Sequence, residues 1–437
     1  MSVTTVGILV IVAMFVLMFL RIPIAVAMAI PAAIGIIYLR GWDVLLATVN
    51  SVVWEHTFSY TLTTIPLFVL MGQFLYSCGF SEELFDMFRK WVGRLRGGLG
   101  LATIGASAMF AATSGSSLAT TGTMGTIASK EMLKSGYSKV LTGGTIAAGG
   151  TLGILIPPST MMIIYGVMTE QSIGKLLIAG IVPGILLTIF FMLTINIAAL
   201  IKPSLVPAPE KFKVSWAGRF ASLKSTIWIL ILFTVVIGGI YAGFFTATEA
   251  AGVGALGAAL IALLRRKLTV KTFTLAIVST IRTTGFIFAI VISAFILNYV
   301  LTITRLPIEL ANFLFEKELS AFTIFVLIVI MYIILGAVMD TMAMIVVTIP
   351  LILPVLEMHN FDLIWFGVII VLLVEMALIS PPIGMNCFVL NGVVKELELI
   401  DIFKGALIFV IPILTLIFLL YAFPEIAITL PNAVRGG

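Results

Sequence analysis

Three groups of residues in this chain could do chemistry. The first is the run TSGSSLATTGTMG, residues 113–125, where hydroxyls and glycines crowd into otherwise apolar sequence. The second is Asp340, a carboxylate inside GAVMDTMAM at 336–344. The third is a pair of double prolines: Pro157–Pro158 in GGTLGILIPPST and Pro381–Pro382 in VEMALISPPIGMN. A proline inside a helix removes a backbone donor and frees the carbonyl one turn earlier, so two in succession open the helix. Freed carbonyls and hydroxyls together make an oxygen-lined cavity that suits a hard cation such as sodium. Half-helix ends add dipoles: carbonyl ends favour a cation, amide ends an anionic substrate. Gly115, Ser116 and Ser117 are expected to face a break at 153–158 that includes Gly153 and Pro157. Gly336, Asp340 and Thr341 are expected to face a break at 380–384 bounded by Ser380 and Gly384. Small hydroxylated residues also act as packing glue between membrane helices, and that reading stands beside the first.

Asp340 is the sharpest single residue, because a carboxylate at the centre of a span costs roughly 2.5–3.5 kcal/mol on insertion scales. It points to cation or gating chemistry, with a structural hydrogen bond as the alternative. Glu249 in TATEAAG and Glu375, six residues before the second break, raise the same question as gating or coupling groups. Glu249 sits at a helix start, where capping competes with function. Arg282 and Arg305 lie close to spans of the second half. Either could grip a carboxylate with its guanidinium fork or snorkel to the interface. His56 and His359 read as interfacial, and Cys78 and Cys387 as free core thiols, since two isolated cysteines make no metal pattern.

The elements that must position these groups are membrane helices. The chain has 437 residues, is 61% hydrophobic and only 10% charged, where a soluble domain carries about a quarter charged residues. Apolar runs recur at 6–20, 176–200, 227–242, 322–337 and 405–422, at lengths that span a bilayer. The first run is followed directly by another at 22–39 and lacks a basic leader, so it reads as a span and not as a removable signal. A net charge of +5 reports topology in such a chain and does not imply nucleic acid.

Lys and Arg cluster at 89–96, at 130–139, at 202–224 and at 265–271, and the positive-inside rule places all four on the cytoplasmic side. The segment 97–129 between the first two clusters is too short for two spans of ~20 residues and a turn. It is expected to be a re-entrant hairpin with its tip near TSGSS, at a depth where irregular backbone survives only when buried or lining a cavity. The segment 321–356 has acidic flanks at 316–318 and 357–362 and is expected to be a second hairpin entering from outside.

One shift of 224 positions aligns these features. It carries Pro157 to Pro381, Pro158 to Pro382, Ser116 to Asp340, Ser117 to Thr341, and Arg21 to Phe245, both between spans. The chain is therefore expected to be an all-α polytopic membrane protein of two inverted repeats. The first covers 1–200, with its hairpin at about 97–129 and a Pro-broken helix at about 138–168. A cytoplasmic linker follows at 201–224. The second repeat covers 225–437, with its hairpin at about 321–356 and its broken helix at about 361–392. About ten spans are expected, with both termini outside.

The runs TSGSSLATTGTMGTI, GGTLGILIPPS, GFFTATEAAGVGA, GAVMDTMAMIVVTIPLILP and SPPIGMN together resemble the large membrane subunit of tripartite ATP-independent periplasmic (TRAP) transporters. The resemblance covers essentially the whole chain. It implies a bacterial inner-membrane, sodium-driven importer of organic acid anions, of the C4-dicarboxylate or sialic acid class. It implies two partners, a periplasmic substrate-binding protein and a small four-helix membrane subunit. Because this chain opens on the large subunit's first span, the small subunit is expected to be a separate polypeptide. The implied fold is an elevator carrier of the ion-transporter superfamily. Sodium would sit at the Ser116–Ser117 and Asp340–Thr341 tips, each against its break. Substrate would lie between the tips, with Ser114, Thr120, Arg305 and Asn386 as candidate contacts.

No ATP use is expected, since the chain has no GxxxxGK[ST] run. A stand-alone carrier or a proton antiporter of the same architecture is the nearest rival. An intramembrane serine protease built on Ser116 lacks a histidine placed to activate it. A channel fits an inverted repeat with hairpins poorly.

Overall fold

The computed structural model describes residues 2–207 and 215–433. They form twenty-one α-helices and one 3-10 turn, with no β-strand among the described residues. Short polar side chains start most of these helices. Ser138, Ser159, Ser320 and Asp362 each accept a hydrogen bond from the backbone N–H three residues on, which satisfies one of the donors that a helix start leaves open.

By length and composition, six helices can cross a membrane, and eight crossings result if each of two bent pairs counts as one. Val3–Phe19 and Ile24–Arg40, at 17 residues each, rise about 26 Å, just short of the ~30 Å hydrocarbon core. These two and Leu363–Ile379 fall outside the count, which does include Thr341–Met358, an arm of the second hairpin. The bent pairs are Thr64–Ser77 with Phe80–Val92, at 69°, and Lys139–Leu155 with Thr160–Met168, at 42°. Large apolar side chains such as Ile8, Val12, Ile34, Leu193, Leu256 and Ile411 are exposed, as lipid-facing surface requires.

The first hairpin consists of Gly98–Ser114 and Ser117–Lys134, and the second of Ala321–Gly336 and Thr341–Met358. The broken helices are Lys139–Leu155 with Thr160–Met168, and Leu363–Ile379 with Met385–Val393. The 224-residue shift carries both ends of Ser117–Lys134 onto Thr341–Met358, and both ends of Lys139–Leu155 onto Leu363–Ile379. Both Pro–Pro bonds are cis.

A helix begins at Trp216, inside the stretch read from sequence as a linker, because Ser215 caps it by accepting from Gly218 N. Residues 208–214 of that stretch lie outside the described residues. The halves interlock. Thr64–Ser77 packs on Ala247–Leu264 and on the 35-residue helix Val270–Thr304, while Lys139–Leu155 packs on Leu399–Ala422.

Candidate functional site: a cavity between two hairpin tips

The tip of the first hairpin is two residues, Gly115 and Ser116, with Gly115 held at φ +58 between two helices. Glycine takes that left-handed conformation without steric cost. Ser116 caps the returning helix, its Oγ accepting from Ala119 N at 3.3 Å. Thr120 Oγ1 lies 3.0 Å from Ser114 Oγ and donates to the Ser116 carbonyl at 2.8 Å. These bonds close the tip on itself. The tip then seats on the first broken helix. A Cβ on Gly153 would lie 2.8 Å from the Ser116 carbonyl oxygen, and one on Gly115 would lie 2.7 Å from the Pro158 carbonyl oxygen. Only glycine permits that approach of backbone to backbone. Thr160 Oγ1 donates to the Gly115 carbonyl at 3.4 Å.

The second tip is built on the same plan with a different cap. Asp340 Oδ1 accepts from Ala343 N at 2.9 Å. Gly336 lies against the second broken helix, where its Cβ would come 2.5 Å from Ala377 Cβ.

The two tips share one cavity of about 390 Å³. Ser114, Gly115, Ser116 and Ser117 line it from the first hairpin, and Asp340, Thr341 and Met342 from the second. Thr160 and Met161 enter from beyond the first break, and Met385 from beyond the second. The opposite wall is Val69 and Gln73 of Thr64–Ser77 with Thr283, Phe286 and Ile287 of Val270–Thr304. Four helix N-termini therefore converge on one space: those at Ser117, Thr160, Thr341 and Met385. Among the described residues, Asp340 is the one charged residue in its lining.

The other candidates lie elsewhere. Gly153 and Pro157 sit behind the first tip and do not line the cavity. Thr120 is buried in the tip's own hydrogen bonds. Ser380 is also outside the lining and spends its hydroxyl on the Met376 carbonyl at 2.7 Å. Gly384 turns at φ +45 with the Ser380 carbonyl close by. Asn386 is fully buried and bonded to Ser117. Arg305 is exposed, in a left-handed turn between two helices, away from the cavity. Glu249 is exposed and completes a capping box, accepting from Thr246 N at 2.8 Å and Thr246 Oγ1 at 2.9 Å. Glu375 is fully buried, with its carboxyl group against the Leu155 backbone.

Sequence reasoning missed the far wall of the cavity. Its one signal was Gln73, a lone amide in the apolar run TIPLFVLMGQFLYS.

A chain of apolar helices, with two re-entrant tips meeting at a cavity in its middle, is a multi-pass membrane carrier. The chain matches the family model of the tripartite ATP-independent periplasmic transporter, DctM component, over residues 11–426, and it belongs to that family. Its members are transport proteins and not enzymes, and they work with other components of a tripartite system. A C4-dicarboxylate TRAP transporter large permease protein of Pseudomonas aeruginosa is 36% identical over 374 residues, covering 85% of this chain and 86% of its own. A sialic acid TRAP transporter large permease protein of Vibrio cholerae is 31% identical, covering 86% of this chain and 88% of its own. Among solved structures, the YdaH transporter of Alcanivorax borkumensis shares the fold with a TM-score of 0.59 at 14% identity, covering 89% of this chain and 91% of that one.

Proposed function

We propose that this chain imports organic acid anions across the bacterial inner membrane, driven by sodium, after a periplasmic binding protein delivers them. The observation that carries the reading is the convergence of four helix N-termini on one cavity. Helix N-termini attract anions through their open N–H groups and their dipoles. A volume of about 390 Å³ falls in the range of small-molecule sites. Among the described residues no cationic side chain lines the cavity, so a dicarboxylate needs its charge balanced by something carried with it. Sodium held at the two tips by carbonyl and hydroxyl oxygens supplies that balance and links uptake to the sodium gradient.

The cavity lies on a boundary. The hairpins and broken helices form one wall, and Thr64–Ser77 and Val270–Thr304 form the other. Elevator motion is the sliding of the first body, with its anion, along the second. The small four-helix subunit would brace the second body in the membrane. C4-dicarboxylates are the first substrates to test and sialic acids the second, because a C4-dicarboxylate permease relative is 36% identical and a sialic acid permease relative 31% identical.

The test is uptake of labelled succinate or N-acetylneuraminate into proteoliposomes that hold this chain and its small subunit, with the cognate binding protein outside. Uptake that requires both an inward sodium gradient and the binding protein is expected. Uptake without the binding protein supports the stand-alone carrier instead, and uptake indifferent to sodium removes the cation from the tips.

A further inference from the structure

Asn386 bridges the two halves at the base of the cavity. Its Oδ1 accepts from Ser117 Oγ at 3.0 Å, and its Nδ2 donates to Ser117 Oγ at 2.8 Å and to the Ala147 carbonyl at 3.0 Å. Neither end is wet, since Asn386 is 0% and Ser117 3% exposed. The space for the amide is made by Gly150, whose Cβ would lie 3.1 Å from Asn386 Nδ2 and would collide with Thr121 Oγ1. The tie has no mirror image, because the 224-residue shift puts Met162 where Asn386 stands.

The two partners sit at the first tip and at the second break. Ser117 is the first residue of the helix that leaves the first tip, and it lines the cavity. Asn386 is the second residue of the helix that leaves the second break, directly after Gly384 and the cavity-lining Met385. Whatever immobilises Ser116 and Ser117 also fixes the first turn of Met385–Val393, and with it the backbone of the second break.

We infer that the Ser117–Asn386 tie makes the two tips bind cations cooperatively, Asn386 acting as a positioning residue that orders the second break when the first tip is occupied. The inference rests on the sodium reading above. A first ion meets the ordering cost, and a second ion finds the break already ordered, which is positive cooperativity without a large structural change.

The experiment is equilibrium binding of radioactive sodium to the purified full-length chain. The wild-type chain is expected to bind with a Hill coefficient above 1. In Asn386→Leu, which keeps the bulk and removes every hydrogen bond, the coefficient is expected to fall to about 1 and half-saturation to rise about fivefold. Asn391→Leu serves as the control. It removes an amide bond from the same helix, Asn391 Nδ2 to the Leu397 carbonyl at 2.9 Å, and is expected to keep the wild-type coefficient. If Asn386→Leu does not survive size-exclusion chromatography, Asn386→Ala replaces it, since water can then reach Ser117 and Ala147. A folded Asn386 variant with the wild-type coefficient overturns the inference and leaves the sodium reading standing. So does a wild-type coefficient of about 1. Absence of saturable sodium binding to the wild-type chain overturns both.

Discussion

The two hairpin tips follow one backbone plan and fill it with different side chains. Ser116 caps the first returning helix and Asp340 the second. One element later, Ser138 caps the first broken helix and Asp362 the second. The small residue that lets each tip close has also changed sides. In the first half it is Gly153 on the broken helix, and the equivalent residue of the second half is Ala377. There the hairpin supplies the glycine, Gly336, and its partner at the matching position of the first hairpin is Ala112. The breaks differ in access as well, with Pro157 and Pro158 buried and Pro381 and Pro382 exposed. The first tip is thus closed backbone to backbone and neutral. The second closes through a side chain, and its cap carries the carboxylate of the cavity.

That contrast can be broken at several points. The largest effect is expected at Asp340. Asp340→Asn keeps an oxygen to accept from Ala343 N and removes the charge. The sodium concentration for half-maximal uptake is expected to rise about tenfold, equal to ~1.4 kcal/mol of cation affinity. If the amide variant transports with wild-type sodium dependence, the charge difference between the tips is irrelevant to the ion.

Next come the glycines. Gly153→Ala pushes a Cβ into the Ser116 carbonyl and should cost ~1–3 kcal/mol of overpacking strain, visible as a lower thermal midpoint in detergent together with lost uptake. Gly336→Ala should do the same against Ala377. The pair Gly336→Ala with Ala377→Gly moves the glycine to the broken helix, as in the first half, and should recover most of the loss. A double variant no better than Gly336→Ala alone would mean that the side-swap is not what closes the second tip.

Ser116→Ala is expected to be milder. It loses a helix cap worth about 1 kcal/mol, with a small drop in thermal midpoint and a smaller rise in sodium requirement than Asp340→Asn. Glu249→Gln should be the mildest, with uptake within about twofold of wild type, because a glutamine still closes a capping box. A large loss of uptake there would restore a coupling role to an exposed cap.

The double prolines and the polar tips were legible because each breaks a strong local rule: polar residues and helix breakers do not belong in the middle of spans. Their shared 224-residue register made the equivalence of the halves visible before any helix end was known. Asn386 was legible as a polar residue near a break, but its partners were not. Ser117 lies 269 positions away, and a single sequence carries no sign of such a pairing. The far wall of the cavity was hidden for another reason: Thr283, Phe286 and Ile287 sit in an unbroken 35-residue helix, where the sequence drew the eye to the neighbouring Arg282 and not to them. Glu249 is the converse case, where the capping reading weighed beside function is the one with visible contacts. Its charge stood out in apolar sequence, yet it serves the start of its own helix.

The Ser117–Asn386 tie also sets a schedule for synthesis. At roughly 5–20 residues per second, the 269 positions that separate its partners take on the order of 15–50 s to emerge. For that interval the first hairpin and the first broken helix wait in the bilayer with Ser117 and the Ala147 carbonyl lacking their final partner. The nascent chain must shelter these groups with water, lipid headgroups or the insertion machinery until the last sixth of the protein arrives, so the latest residues made complete the earliest hairpin formed.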